Sequence, residues 1–232
     1  MKPWHVNILT LFPEMFPGVL GQSLSGKALG KKLWSYTVLN IRDFAQDKHK
    51  TVDDTPFGGG AGMVMRADII EATLISLPDA GRKIYLSPRG KPLTQKLVEE
   101  LKDQTITLLC GRYEGVDQRV LDAHGFEEIS IGDYVLSGGE PAAMTLMDAC
   151  IRLLPGVMGN EETAGEESFS DKAGGMLEYP HYTRPADWTD SNGQTHSVPD
   201  ILKSGDHAKI KKWRKKQSEE ITKKVRPDLL KK

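Results

Sequence analysis

The chain has 232 residues, long enough to bury a core without disulfides, in one large domain or two modest ones. Hydrophobic residues make up 38% and glycine fills 23 positions, which excludes a disordered or fibrous chain. The formal charge of -1 hides an uneven distribution: residues 203–232 carry 12 Lys/Arg against 4 Asp/Glu, whereas residues 1–202 carry 19 against 28. An acidic body with a basic tail points to an anionic partner.

The N-terminal MKPWHVNILTLFPEMF has a short apolar run, broken by Asn7, ended by Pro13 and followed by no small-residue cleavage site, so it reads as no secretory signal. No stretch approaches the roughly 18 apolar residues of a membrane helix. Cys110 and Cys150 form no C-x-x-C pair and read as small core hydrophobes. A reducing, cytoplasmic setting without a membrane is the expectation.

In chain order, Val6–Phe12 predicts a buried strand and Pro13–Leu20 a short helix. Tyr36–Ile41 predicts a strand. Asp43–Met63 has no periodicity over a length unusual for a connection, which marks a functional or disordered loop. It sets Lys48, His49 and Lys50 beside Asp53, Asp54 and four glycines, a composition suited to touching a substrate. Arg66–Ser76 predicts a helix, Lys83–Ser87 a strand, and Pro92–Lys102 a helix with proline at its start. Thr105–Cys110 and Glu127–Ile131 predict strands, Val116–His124 and Pro141–Leu154 helices. This alternation implies an α/β fold, a parallel sheet covered by helices.

Ligands of such sheets gather beyond the carboxyl ends of the strands. Three loops there contain glycine: Pro88–Lys91 (PRGK), Gly111–Gly115 (GRYEG) and Gly132–Glu140 (GDYVLSGGE). Glycine lets backbone N–H groups approach a ligand, and three adjacent loops of this kind suggest a shared nucleotide-like pocket. From Pro155 to about Gly175 the composition turns to Gly, Glu, Ser and Asn, the best domain boundary. Beyond it, Asp206 reads as the N-cap of a helix to Lys224, with Ile210, Trp213, Gln217 and Ile221 at helical spacing. Trp213 is expected to pack inward, and Lys209, Lys211, Lys212, Arg214, Lys215 and Lys216 to cover the remaining surface.

Several motifs fail. Gly21–Lys27 resembles a phosphate-binding loop, but Ala28 replaces the magnesium-binding hydroxyl. Gly58–Met63 lacks the last glycine of G-x-G-x-x-G, and no G-x-S-x-G elbow occurs. The six histidines have no metal-ligand spacing, so no metal site is assigned.

Other strings stand in a telling order: YLSPRG (Tyr85–Gly90), CGRYEGVDQRV (Cys110–Val120), SIGDYVLSGGE (Ser130–Glu140), LPGV-x-G (Leu154–Gly159) and PHYTRP (Pro180–Pro185), with LFPEMF and HKTVDDTPFGGGAGM upstream. Together they resemble the bacterial tRNA (guanine-N1)-methyltransferases, the TrmD family, from about residue 5 to 230. The resemblance implies a SPOUT fold, in which residues 1–158 bind S-adenosylmethionine at a deep trefoil knot. Periodicity alone would have implied an unknotted sheet. It further implies a flexible linker over 159–175 and a basic, mainly helical tRNA-binding domain over 176–232. It implies a homodimer with shared active sites, and Mg2+ dependence. The reaction implied is methylation of N1 of the guanosine immediately 3′ of the anticodon, when another guanosine precedes it. A SPOUT enzyme of other specificity, or a non-catalytic RNA-binding relative, is the alternative.

Carried over by motif, Tyr85, Leu86, Ser87, Pro88 and Gly90 resemble the first cofactor loop. Gly111, Tyr113, Glu114 and Gly115 resemble the second. Ile131, Gly132, Asp133, Tyr134, Leu136, Gly138 and Gly139 resemble the third, and Glu178 resembles an Asp near the cofactor's amine. Guanine N1 carries a proton, so methylation needs a base beside it and a cation near O6. Arg152 in I-R-L-L-P-G-V matches the cation, although an Arg late in a helix also complements the helix dipole. Glu167 in E-E-S-F stands where the family has its Asp base, one methylene longer; as part of a solvated acidic linker it would have no such role. Asp53 and Arg112 match residues used around the target guanosines. Lys48, Lys50, Lys209 and Lys212 are candidates for tRNA phosphate.

Overall fold

In the computed structural model, which describes residues 3–159, 167–170 and 173–230, two compact units divide at Gly159 and Asn160. The first apolar run forms β1 (Trp4–Thr10), buried along nearly its whole length because helices cover both faces. β2 (Trp34–Asn40) follows. The long loop then closes on itself through a short antiparallel pair, β3 (Asp53–Asp54) and β4 (Val64–Met65). With β5 (Arg82–Pro92), β6 (Ile106–Leu109) and β7 (Glu127–Ser130), β1 and β2 form one parallel sheet in the order β2-β1-β6-β5-β7.

Alternation along the strands divides the core in two. Val6, Ile8, Ile84, Leu86 and Leu108 face α1 (Ser23–Gly30), α3 (Gln95–Leu101) and α5 (Glu140–Ile151). Leu9, Tyr85 and Leu109 face α2 (Ala67–Ile75) and α4 (Gln118–His124). Each such aliphatic side chain contributes about 1.5–3 kcal/mol by leaving water. Cys110 and Cys150 are both buried, as expected of small apolar residues.

The sequence expectations need correction in four places. Pro13–Leu20 is not one helix but two 3-10 turns, Pro13–Met15 and Gly18–Gly21, because Phe16 before Pro17 is extended. Ser23–Gly30, which the sequence reading gave no element, is helical. There Gly26 packs on Gly21, whose carbonyl oxygen lies 2.3 Å from where a β-carbon would sit. Pro92 ends β5 instead of opening a helix; α3 starts at Gln95, after Thr94 accepts the Leu97 N–H at 3.3 Å. The fourth is PRGK, not a loop after a strand but an excursion within β5: pairing to β7 shifts between Leu86 and Lys91, both opposite Ile129.

The second unit contains a hairpin of β8 (Asp187–Thr189) and β9 (Thr195–Ser197), which the sequence analysis omitted. Asn192-Gly193 between Trp188-Thr189 and Thr195-His196 was its signal, and Asp190 shapes the turn by accepting from the N–H groups of Asn192 and Gln194. α6 (Asp200–Lys203) and α7 (His207–Val225) follow, the latter capped by Asp206 accepting from the Lys209 N–H at 3.1 Å. The best-buried face of α7 is polar: Thr222 donates to the Ser218 carbonyl and accepts from the Leu177 N–H. Trp213 is half-buried, its ring 6.3 Å from that of Tyr182. Of the linker expected over 159–175, residues 160–166 and 171–172 lie outside those described. Around them Phe169 donates to Met176 and Gly175 to Ser170, a hydrogen-bonded turn. Among the described residues no helix is long and apolar enough to cross a membrane.

Candidate active site

The three glycine segments meet at the carboxyl end of the sheet. The first, residues 87–90, leaves the β5–β7 ladder and rejoins it, with Ser87 Oγ accepting from the Arg89 N–H. Gly90 lies so close to β7 that a β-carbon would stand 2.3 Å from the Ile129 nitrogen. The second, 111–115, turns on an Arg112 carbonyl to Gly115 N–H bond, with Tyr113 and Gly115 at positive φ of 57 and 128. β4 supports it: Glu114 donates to the Met63 carbonyl, and Met65 to the Gly115 carbonyl. Beneath it lies Tyr85, buried, and that burial raises the phenol's pKa. The third, 132–139, starts where Ser130 Oγ both donates to the Gly132 carbonyl and accepts its N–H. It ends where Gly139 donates to the Gly111 carbonyl at 2.9 Å.

Between these segments is a cavity of about 440 Å³, within the usual range for a small-molecule site. Of the residues assigned to the cofactor from the sequence, all line it except Gly90, Asp133 and Glu178. Gly90 serves the packing against β7. Glu178 belongs to the second unit, where its carboxylate accepts from His181 Nε2 at 2.9 Å and its N–H donates to Ser168 Oγ. Sequence reasoning missed Val64, Gln118 and Val135 as lining residues. Val135 lay inside an assigned loop, 84% exposed; Val64 and Gln118 became visible only when β4 and α4 were placed.

Arg152 forms the C-cap of α5 and is half-buried, with its N–H on the Asp148 carbonyl. Glu167, half-buried, opens the turn in the second unit through its carbonyl, which accepts the Ser170 N–H. Asp53 is half-buried in β3 opposite Met65. Lys48 is exposed, and Lys50 is paired with Asp43 at 3.1 Å. On α7, Lys209 pairs with Asp206, Lys212 is exposed, and the Arg214 guanidinium lies 4.7 Å over the Tyr179 ring. Arg112, expected beside the target guanosines, has a side chain 18% exposed, with Nη2 2.9 Å from buried Glu140. Among the described residues no group of three or more His, Cys, Asp or Glu could hold a metal ion.

Residues 4–232 match the family model described as tRNA (Guanine-1)-methyltransferase TrmD. A tRNA (guanine-N(1)-)-methyltransferase of Rhodospirillum rubrum is 60% identical over 224 residues, covering 96% of this chain and 90% of its own. Those of Rhodopseudomonas palustris and Wolbachia pipientis wMel are 57% and 55% identical over 231 residues, 98% of this chain and 88% and 95% of theirs.

Proposed function

The chain belongs to the TrmD family of tRNA (guanine-1)-methyltransferases and is an enzyme that methylates N1 of guanine in tRNA; on that premise we propose its methyl donor, its target and the residues that act. The donor is S-adenosylmethionine, held among the three glycine segments. The observation that carries this is their convergence on one cavity, with Gly111 and Gly139 so close to neighbouring groups that a side chain would collide at 2.8 and 2.7 Å. The exposed backbone and the cavity volume fit a nucleoside with an amino-acid tail. The packing of Gly139 on the Cys110 backbone supports the trefoil knot that the family implies.

S-adenosylmethionine supplies an electrophilic methyl group on sulfur. The protein's task is to make guanine N1 a nucleophile. Glu167 accepts the N1 proton, and Arg152 offsets the negative charge that spreads to O6. Glu178 meets the donor's amine. Asp53 contacts the guanosines, and Lys48, Lys50, Lys209 and Lys212 meet phosphate, contacts that position the RNA without reading its sequence. For Mg2+ the described side chains offer no ready ligand cluster.

The target is the guanosine immediately 3′ of the anticodon. The enzyme works in the cytoplasm as a homodimer with shared active sites; Phe57, 99% exposed, is apolar surface that such a partner would cover. Labelled S-adenosylmethionine with tRNA transcripts that differ only at that guanosine tests donor and target together. Label is expected only when guanosine is present. Transfer independent of that base would remove the target assignment, and sedimentation as a monomer would remove the dimer.

A further inference from the structure

We infer that Glu140 is a positioning residue for the cofactor pocket and acts through Arg112, a conclusion that rests on reading the cavity as the S-adenosylmethionine site. Glu140 is the first residue of α5 and has no exposed surface. A buried carboxylate is costly unless paired and hydrogen-bonded. Here Oε1 accepts from Thr10 Oγ1 at 2.7 Å, and Oε2 lies 2.9 Å from Arg112 Nη2. The N-terminus of α5 also favours a negative charge.

Arg112 uses its planar fork on protein partners. Nη1 donates to the Ser137 carbonyl at 3.1 Å, and the guanidinium sits 4.3 Å over the Phe12 ring. A β-carbon on Gly138 would lie 2.3 Å from Nε, so the guanidinium fills the space beside that residue. One side chain therefore joins the exit of β1, the second glycine segment from which it springs, and the third segment over the cavity. Lysine, a point charge, cannot bridge Glu140 and Ser137 in this way. Among the described residues, Arg112 Nε and Glu140 Oε2 have no hydrogen-bond partner. The two groups meet as charges off the hydrogen-bond axis. Removing one leaves the other buried and uncompensated, while removing both is milder.

An arginine that reads tRNA would turn its guanidinium outward, and its loss would reduce phosphate contacts. Arg112 acts instead on the shape of the 132–139 segment. The test uses full-length wild type, Glu140→Gln, Arg112→Met and the double variant. Calorimetry gives S-adenosylmethionine affinity, filter binding over a salt series gives tRNA affinity, and hydrogen exchange reads residues 132–139. Each single variant is expected to weaken S-adenosylmethionine binding by about tenfold or more. It is also expected to speed exchange in 132–139 and leave the tRNA salt slope unchanged, and the double variant to bind better than additivity of the two losses allows. Unchanged cofactor affinity and exchange in Glu140→Gln would overturn the inference. So would a tRNA salt slope reduced in Arg112→Met by about 0.7–0.9, the equivalent of one phosphate contact. If Glu140→Gln does not fold, Arg112→Lys carries the test: it keeps the charge and loses the bridge, so the same losses are expected and normal binding overturns the inference. Wild type that fails to bind S-adenosylmethionine would refute the site reading itself, while the exchange measurement still judges Glu140.

Discussion

The Tyr85 hydroxyl lies 2.9 Å from the position a β-carbon would take on Gly111. The ring beneath the second segment and the missing side chain above it are thus one packing solution. Gly111→Ala is expected to cost about 1–3 kcal/mol by overpacking and to weaken cofactor binding. Tyr85→Leu in the same chain should recover part of the loss, because the clash is with a side chain. Gly139→Ala should show no such recovery, since its added carbon would meet backbone, Cys110 Cα at 2.7 Å. Chemical denaturation of the four variants checks both statements.

Glu167→Gln keeps size and removes the proton acceptor. Single-turnover methylation is expected to slow by about 10²–10⁴-fold, the usual contribution of a general base, with S-adenosylmethionine affinity nearly unchanged. Rapid-quench measurement with enzyme in excess separates the chemical step from release. Near-normal rates would mean that another group takes the proton.

Glu127 joins Arg82 and Lys91 at the edge of the sheet, and the Arg82 hydrogen bond, aided by Lys91, holds its carboxyl at about 2. A depressed carboxylate stabilises the fold above its unfolded value, and that stability is lost as pH falls through the folded value. Glu127→Gln should therefore be less stable than wild type at pH 7, by about 1 kcal/mol after solvent screening of a partly exposed pair. The difference should shrink as pH falls from about 4.5 to 2, which urea titrations across that window would follow.

Burial pushes the Cys150 thiol up to about 12 and that of Cys110 well above the ordinary range. Thiolate is the reactive form, so neither should react with a disulfide reagent at pH 8 in the folded protein. Both should titrate on unfolding. Labelling of the folded chain at a rate matching free cysteine would contradict the burial.

The sequence by itself determined the family, the α/β class and the three glycine segments, because those depend on local order: motif strings, alternating periods and turn residues. The cap at Asp206 was legible for the same reason, a side chain bonding its own helix three residues on. The tertiary structure alone decided what distant residues do to one another. It made PRGK an excursion within β5, since a register shift exists only relative to β7. It hid the helix at Ser23–Gly30 from local pattern, since what Gly26 packs against is known only once the chain is folded. It also turned Arg112, by motif a partner of RNA, toward Glu140, twenty-eight positions away in the sequence. A charge is legible in sequence; the direction it faces depends on which buried group needs it.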